Sequence, residues 1–117
     1  MKKILSSASN EEQYQTIGVI GREAIITVAQ QVYNPGLHPT LDGTTPSKTD
    51  AKRMLDAYII YRLPGKTNDE LRKFARSSLD LANKITHDRT ANYEKAEMCI
   101  TAVSATVSII HSLSKSE

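Results

Sequence analysis

Aromatic residues and cysteine are scarce in this chain of 117 residues. It has no Trp, one Phe (Phe74) and one Cys (Cys99). A single cysteine excludes an intramolecular disulfide and a zinc site built from several cysteines, and it fits a reducing compartment. We therefore expect a cytoplasmic location. Because large aromatic rings are so few, the core is expected to be aliphatic, with Tyr residues at its edges.

The sequence also has no large excess of charge of either sign. Its 15 Lys and Arg residues nearly balance its 13 Asp and Glu residues, which gives a formal net charge of +2. A strong nucleic-acid binder usually carries a much denser basic surface. The basic residues between positions 48 and 76 alternate with acidic ones, and this pattern favours a solvated surface of mixed charge.

No apolar run is long enough for a membrane span. The most apolar stretch, Met98 to Leu113, is shorter than the roughly 20 apolar residues that a span needs, and it contains several Ser and Thr residues. No apolar segment typical of a secretory signal follows Met1. We therefore expect no membrane association. The three histidines are far apart in sequence and form no metal-binding motif, so we also expect no metal and no other cofactor.

Helical periodicity dominates the residues that are present. Apolar residues recur every three or four positions in four segments, at about 11–32, 48–63, 68–85 and 91–113, and no segment alternates as a strand would. The sequence therefore predicts an all-α protein, a single-domain bundle of four main helices within residues 1–117. A long loop rich in Pro and Gly joins the first two helices, with Leu37 and Leu41 as candidate anchors. A tail or linker without fixed structure is expected at 1–9.

The last two helices are expected to supply most of the core. The fourth is apolar or small on nearly every side from Met98 to Leu113, which is typical of a helix surrounded by others, so we predict that it lies at the centre of the bundle. Its small side chains also suit a seam between two copies of the chain. The third helix has a continuous face that we expect to point inward: Leu71, Phe74, Ala75, Ser78, Leu79, Ala82 and Ile85.

Arg22 and Glu23 form the first candidate site. They directly follow two glycines that lie one turn apart in the first helix, and such a pair indicates close approach by another segment because each glycine lowers helix propensity by about 1 kcal/mol. We therefore expect Arg22 to be partly buried and to need an acidic partner. Two interpretations remain open: a structural ion pair with Asp80 or Asp88, or a binding pocket shared with His87.

The densest polar cluster lies where the third helix ends: Asn83, His87, Asp88 and Arg89. Asn83 and His87 are one turn apart on the same face. His87 can titrate near neutral pH, Arg89 can hold a phosphate through two hydrogen bonds, and the start of the fourth helix favours an anion. The cluster can therefore recognise or act on a phosphodiester. The alternative, which we favour, is ordinary turn chemistry, with His87 stabilising the end of its helix.

Two segments resemble known bacterial sequences. Residues 17–25, with the pattern GxxGREA, resemble a helix of abortive-infection-like helical domains. Residues 81–91, with the pattern LANxxxHxRTA, resemble a segment of uncharacterised bacterial helical domains. Together they are similar to the HEPN-like helical bundles of bacterial defence and toxin systems, whose ribonucleases carry an Arg a few residues before a His. Here Arg76 lies too far before His87, and Arg89 follows it, so the chain departs from that pattern.

We therefore predict a non-catalytic helical interaction or sensor module, and the resemblance implies a bacterial anti-phage defence or toxin-type system. The expected partner is another protein or a second copy of the chain, bound through Arg22, Glu23, Asn83, His87 and Arg89. One alternative is a HEPN-like ribonuclease that uses His87 as acid or base and Arg89 to hold RNA. Another is a receptor for a small nucleotide-type ligand, in which the 33–47 loop closes over Arg22 and His87.

Overall fold

Four helices make up most of the described molecule. The computed structural model describes residues 11–88 and 92–115, and no strand occurs in these residues, which confirms the predicted all-α bundle of four main helices. The predicted tail at 1–9 and the candidate residue Arg89 lie outside the described residues. The helices are α1 (Glu11–Val32), α2 (Ala51–Arg62), α3 (Asp69–His87) and α4 (Tyr93–Lys115), and a 3₁₀ turn (Lys66–Asn68) precedes α3.

Side-chain caps set the starts of two helices. Asp50 Oδ1 accepts a hydrogen bond from the Arg53 backbone N–H at 3.3 Å, and α2 begins at Ala51 rather than at 48 as predicted. At the start of α4, Asn92 Oδ1 accepts a hydrogen bond from the Lys95 backbone N–H at 2.9 Å. Each cap satisfies a donor that the first turn of a helix leaves unpaired. The second cap also fixes the residue at which α4 begins after the turn that follows α3.

α1 and α3 have the most neighbours among the helices. Each packs against all three other helices, whereas α4 packs mainly on α1 and α3. Ion pairs from Lys52 to Asp80 (3.6 Å) and from Arg76 to Asp56 (2.7 Å) show that α2 and α3 run antiparallel, because the partner number falls as the position along α2 rises.

The prediction that α4 lies at the centre was wrong. One side of α4 is buried, but its outer side exposes a row of small polar residues, Thr101, Ser104 and Ser108. The Thr101 hydroxyl donates to the Glu97 carbonyl of the same helix at 3.1 Å. Such a hydroxyl needs no partner on a neighbouring helix. A face of Ser and Thr is therefore compatible with solvent, although its side chains are small enough for the centre of a bundle.

Among the described helices, α4 is the one that is long and apolar enough, by length and composition, to cross a membrane. In the structure, 39% of its most apolar window is buried inside the bundle. The core helix of a protein that never meets a membrane satisfies the same criterion. The predicted absence of membrane association therefore stays a prediction.

The core is aliphatic, as predicted, but tyrosine does more than line its edges. The largest cluster joins α1, α2, α3 and α4 around side chains that include Ile25, Leu55 and Leu79, with the fully buried Tyr58 among them. A smaller cluster of Ile17, Ala96 and Ile100 lies between the first half of α1 and the start of α4, with Tyr14 packed against it.

A buried histidine holds the loop between α1 and α2. His38 Nδ1 accepts a hydrogen bond from the Asn34 backbone N–H at 2.9 Å. The two leucines predicted as anchors, Leu37 and Leu41, are exposed instead. The His38 ring, by contrast, packs against three aromatic rings of the loop and α2: Tyr33, Tyr58 and Tyr61.

Candidate functional site

A cleft of about 430 Å³ opens beside the turn between α3 and α4, and we call it the turn cleft. The first half of α1, the end of α3 and the start of α4 form its walls. Of the residues predicted to form a site, His87 and Asp88 line the turn cleft, whereas Arg22, Glu23 and Asn83 do not. The remaining polar lining comes mainly from Gln15, Asn92 and Lys95.

His87 lines the turn cleft, but its ring bonds to its own helix. Nδ1 lies 2.6 Å from the Asn83 backbone carbonyl, one turn earlier, and it must donate because that oxygen only accepts. The Thr86 hydroxyl donates mainly to the Ala82 carbonyl at 2.8 Å and lies 3.2 Å from the Asn83 carbonyl. The Asn83 carbonyl lies in the last turns of α3, so its bond with Nδ1 holds the His87 ring against its own helix. This geometry agrees with the structural interpretation of His87, and Asn83 contributes its main chain to it.

Asp88 and Lys95 join the two ends of the turn. Lys95 Nζ lies 2.6 Å from Asp88 Oδ2, and both side chains are partly exposed. An ion pair at such a site contributes up to about 1 kcal/mol. Since Asn92 caps α4 through the Lys95 N–H, part of the anion-binding capacity of this helix start is already used.

Arg22 is exposed, so the prediction that it is partly buried was wrong. Its expected acidic partners are bound elsewhere, because Lys52 pairs with Asp80 and Lys95 pairs with Asp88. Within the described residues Arg22 makes no ion pair, and the neighbouring Glu23 is exposed as well. In the folded chain, Lys52 of α2 and Lys95 of α4 lie next to these two carboxylates, and the sequence alone did not reveal either pairing. A pocket shared by Arg22 and His87 is therefore not formed.

The close approach predicted at the glycine pair is confirmed at Gly21. A Cβ atom added there would lie 3.1 Å from Val103 Cγ2 and 3.3 Å from Thr86 Cγ2. At Gly18, the nearest atom to an added Cβ is the Thr86 carbonyl oxygen, at 3.9 Å, which is an ordinary contact. Gly21 therefore lets α1 cross close to both α3 and α4.

Cys99 forms part of the buried floor of the turn cleft. Burial raises the pKa of the Cys99 thiol, because desolvation disfavours the charged thiolate. A thiol with a raised pKa is a weak nucleophile at neutral pH. Cys99 therefore acts here as a small apolar side chain.

The loop between α1 and α2 does not lie over the turn cleft. Its far end lies beside the last turns of α1, where the Gln30 side chain donates to the Lys48 carbonyl at 2.7 Å. Gly18, which lines the cleft, lies twelve residues earlier on the same helix, and this separation corresponds to roughly 18 Å along the axis. The loop therefore does not form a lid over Arg22 and His87 in this structure.

A second candidate surface lies on the outer side of α3. The predicted inward face divides into two parts: Ala75, Leu79 and Ala82 are buried, whereas the other four residues remain partly or largely exposed. Leu81 joins this exposed part. We define the α3 stripe as Leu71, Phe74, Ser78, Leu81 and Ile85. Its largest side chains, together with Met98 of α4, are strongly exposed: Leu71 58%, Phe74 59%, Leu81 44% and Met98 47%.

The comparisons with known proteins found no match for the chain. No protein-family model matches it, and neither a curated protein nor a solved structure does. The resemblance to HEPN-like and abortive-infection domains therefore remains untested, and the candidate sites stand on their geometry.

Sequence reasoning missed the α3 stripe as a candidate site because it assigned the whole apolar face to the core. The spacing of the apolar residues in α3 did carry one indication that part of this face is exposed. At 100° per residue, the apolar and small positions of α3 cover an arc of roughly 160°, which is wider than the 100° that is typical of a helix packed on one side. Lys95 was also missed, since its pairing with Asp88 depends on the path of the turn.

Proposed function

We propose that this chain is a non-catalytic helical interaction module that binds a protein chain through the α3 stripe. The observation that supports this is the exposure of Leu71, Phe74 and Leu81 on one face of a well-packed helix. Monomeric proteins rarely expose a contiguous row of large apolar side chains, and such a row marks a surface that another protein covers. An amphipathic helix with its apolar face outward is also a recurring mode of recognition.

The apolar surface continues from α3 onto α4. Leu81 and Ile85 line a shallow apolar depression together with Met98 of α4. Methionine adapts its shape to a partner more easily than branched side chains, and it is common at recognition surfaces. The partner would therefore contact both helices near the turn and α3 alone further from it.

Catalysis has less support than binding. The His87 ring is bonded to its own helix, Asp88 is paired with Lys95, and no arginine among the described residues lines the turn cleft beside them. Within the same residues no group of three or more His, Cys, Asp or Glu side chains is placed to hold a metal ion. A ligand receptor has the volume of the turn cleft in its favour but lacks the predicted lid. The bacterial defence or toxin setting rests on the sequence resemblance.

Photo-crosslinking tests this function directly. With p-benzoyl-phenylalanine in place of Phe74, irradiation in cells of the source organism should give a covalent adduct between this chain and a protein. Val19 is a matched control, because it is equally exposed and apolar but lies on α1 beside the turn cleft. The same amino acid at Val19 should give no such adduct. If the Phe74 position yields no protein adduct, or no more than Val19, the α3 stripe is not an interaction surface.

A further inference from the structure

The α3 stripe has the spacing of a coiled-coil seam. Its positions follow one another at intervals of three, four, three and four residues, which is the alternation of the a and d positions of a heptad. In the described molecule Leu71, Phe74 and Leu81 of this seam face outward, while Ile85 at its end packs partly against the core beside α4. A second helix with the same spacing would fit it by inserting its side chains between those of α3.

The seam has similar side chains on both sides of its centre. Ser78 is the small middle residue, and two large apolar residues lie on either side of it: Leu71 and Phe74 before it, Leu81 and Ile85 after it. If two copies of α3 cross antiparallel at Ser78, Leu71 of each copy lies level with Ile85 of the other, and Phe74 lies within one residue of the level of Leu81. The small side chain at the crossing point allows the two helices to approach closely.

The charged residues beside the seam have opposite signs at its two ends. Glu70, Ser77 and Lys84 follow one another at seven-residue intervals on the exposed flank of the stripe. This is the g position of the heptad, which faces its own counterpart in an antiparallel pair and sets the choice of partner. Glu70 of each copy would then lie beside Lys84 of the other. In a parallel pair the g position faces an e position of the partner, and the e positions here, Ala75 and Ala82, are buried in the bundle, so neither charge would find an opposite one.

Both charges are available for such pairing. The Glu70 side chain is 92% exposed, and its contact with Lys73 is long, at 3.9 Å. Lys84 is exposed and makes no ion pair within the part of the chain that the structure describes. The other flank of α3, with Ala75 and Ala82, is buried in the bundle, so one seam and one charged flank remain for a partner.

We propose that the partner of the α3 stripe is a second copy of this chain, bound antiparallel about Ser78. This proposal rests on the proposed function, since it names the protein that the stripe binds. Apolar residues at Leu71, Phe74, Leu81 and Ile85 supply the contact, and the pairing of Glu70 with Lys84 selects the antiparallel direction. The seam from Leu71 to Ile85 is roughly 21 Å long, and Met98 of α4 extends it near the turn.

Charge reversal with sedimentation equilibrium tests the arrangement. The wild-type chain should show a molar mass that rises with concentration from 12.9 kDa toward twice that value. Each single variant, Glu70→Lys or Lys84→Glu, should weaken dimerisation roughly tenfold, because it replaces two attractive pairs by repulsive ones. The double variant carrying both reversals should regain wild-type affinity. These positions are exposed, so the fold of each variant, followed by circular dichroism, should stay unchanged.

A mixed-cysteine experiment gives an independent readout of direction. Glu70→Cys and Lys84→Cys proteins, mixed and oxidised, should form a disulfide between unlike chains, whereas each variant alone should form little. Cysteine 99 is buried and should remain unreactive. Disulfides that form as readily within each single variant as in the mixture would overturn the proposed direction. A wild-type chain that stays at 12.9 kDa at every concentration would overturn the second copy as partner, while a Phe74 adduct to a different protein would leave the interaction function standing.

Discussion

At the scale of single residues, His38 shows that one side chain can both accept a hydrogen bond and pack against other rings. It holds the loop where the two predicted leucines, Leu37 and Leu41, are exposed. Its Nδ1 accepts the Asn34 backbone N–H, while its ring packs among three tyrosines. Leucine offers an apolar surface but no acceptor for that N–H. The loop is therefore held by the residue that satisfies its backbone as well as its packing.

Replacing His38 by Phe should destabilise the protein by about 1 kcal/mol, because it keeps a ring but leaves the partly buried Asn34 N–H without its acceptor. The measurement is the free energy of unfolding in urea. Leu37→Ala is the matched control, since Leu37 is an exposed neighbour and its loss should change stability by less than about 0.5 kcal/mol. Equal stability of the wild-type and His38→Phe proteins would show that this hydrogen bond does not hold the loop.

At the scale of secondary-structure elements, periodicity was sufficient to place the helices but not to determine which faces they bury. All four helices occur where the apolar spacing predicted them, and Gly21 marks a real crossing. The spacing did not show that α3 buries the narrow row of Ala75, Leu79 and Ala82 and leaves Phe74 exposed. An apolar helix face has the same residue pattern whether it packs in the core or forms an interface, so one sequence does not distinguish the two.

Alanine at the two glycines of α1 should change stability in opposite directions. Gly18→Ala should stabilise the protein by about 1 kcal/mol through helix propensity, because its new Cβ meets nothing closer than 3.9 Å. At Gly21 the neighbours cannot easily move: Val103 is β-branched and buried, and the Thr86 hydroxyl is fixed by the Ala82 carbonyl at 2.8 Å. Gly21→Ala should therefore lose about 1 kcal/mol net.

Thermal unfolding of both variants, followed by circular dichroism, measures this contrast. Each variant serves as the control for the other, because the substitution and the helix are the same. A Gly21→Ala protein that gains as much stability as Gly18→Ala would mean that the crossing of α1 with α3 and α4 is loose.

At the scale of the whole molecule, the sequence predicted the number of helices but not which of them have the most neighbours. α4 is the most apolar helix, yet α1 and α3 each contact all the others. Burial in a bundle depends on which faces meet, and this follows from the path of the connections. For the same reason the candidate site was only partly predicted: the turn brought Asp88 to Lys95, whereas Arg22 was left in solvent.

The loop and α2 are also linked by a network that should fail in acid. Hydrogen bonds from the backbone N–H and hydroxyl of Thr44 to Asp42, with help from Thr40 and Arg53, lower the pKa of Asp42 from 3.8 to about 2. A carboxylate whose pKa is lower in the folded state stabilises it above the unfolded pKa, and this contribution disappears as the pH falls from about 4 toward 2. Wild-type and Asp42→Asn proteins should therefore differ most in stability near neutral pH.

Urea unfolding of the two proteins across this pH range tests the network. The difference between their free energies of unfolding should shrink steadily below about pH 4. Curves that stay parallel down to about pH 2 would show that the ionised Asp42 carboxylate does not contribute to the fold.

The distribution of the tyrosines has a practical consequence for spectroscopy. With no Trp in the chain, its ultraviolet emission comes from five tyrosines. Three of them surround His38, and the other two, Tyr14 and Tyr93, meet edge to face at 6.3 Å beside the turn cleft. The unlabelled protein thus carries two built-in optical probes, one for undocking of the long loop and one for events at the opposite end of α1.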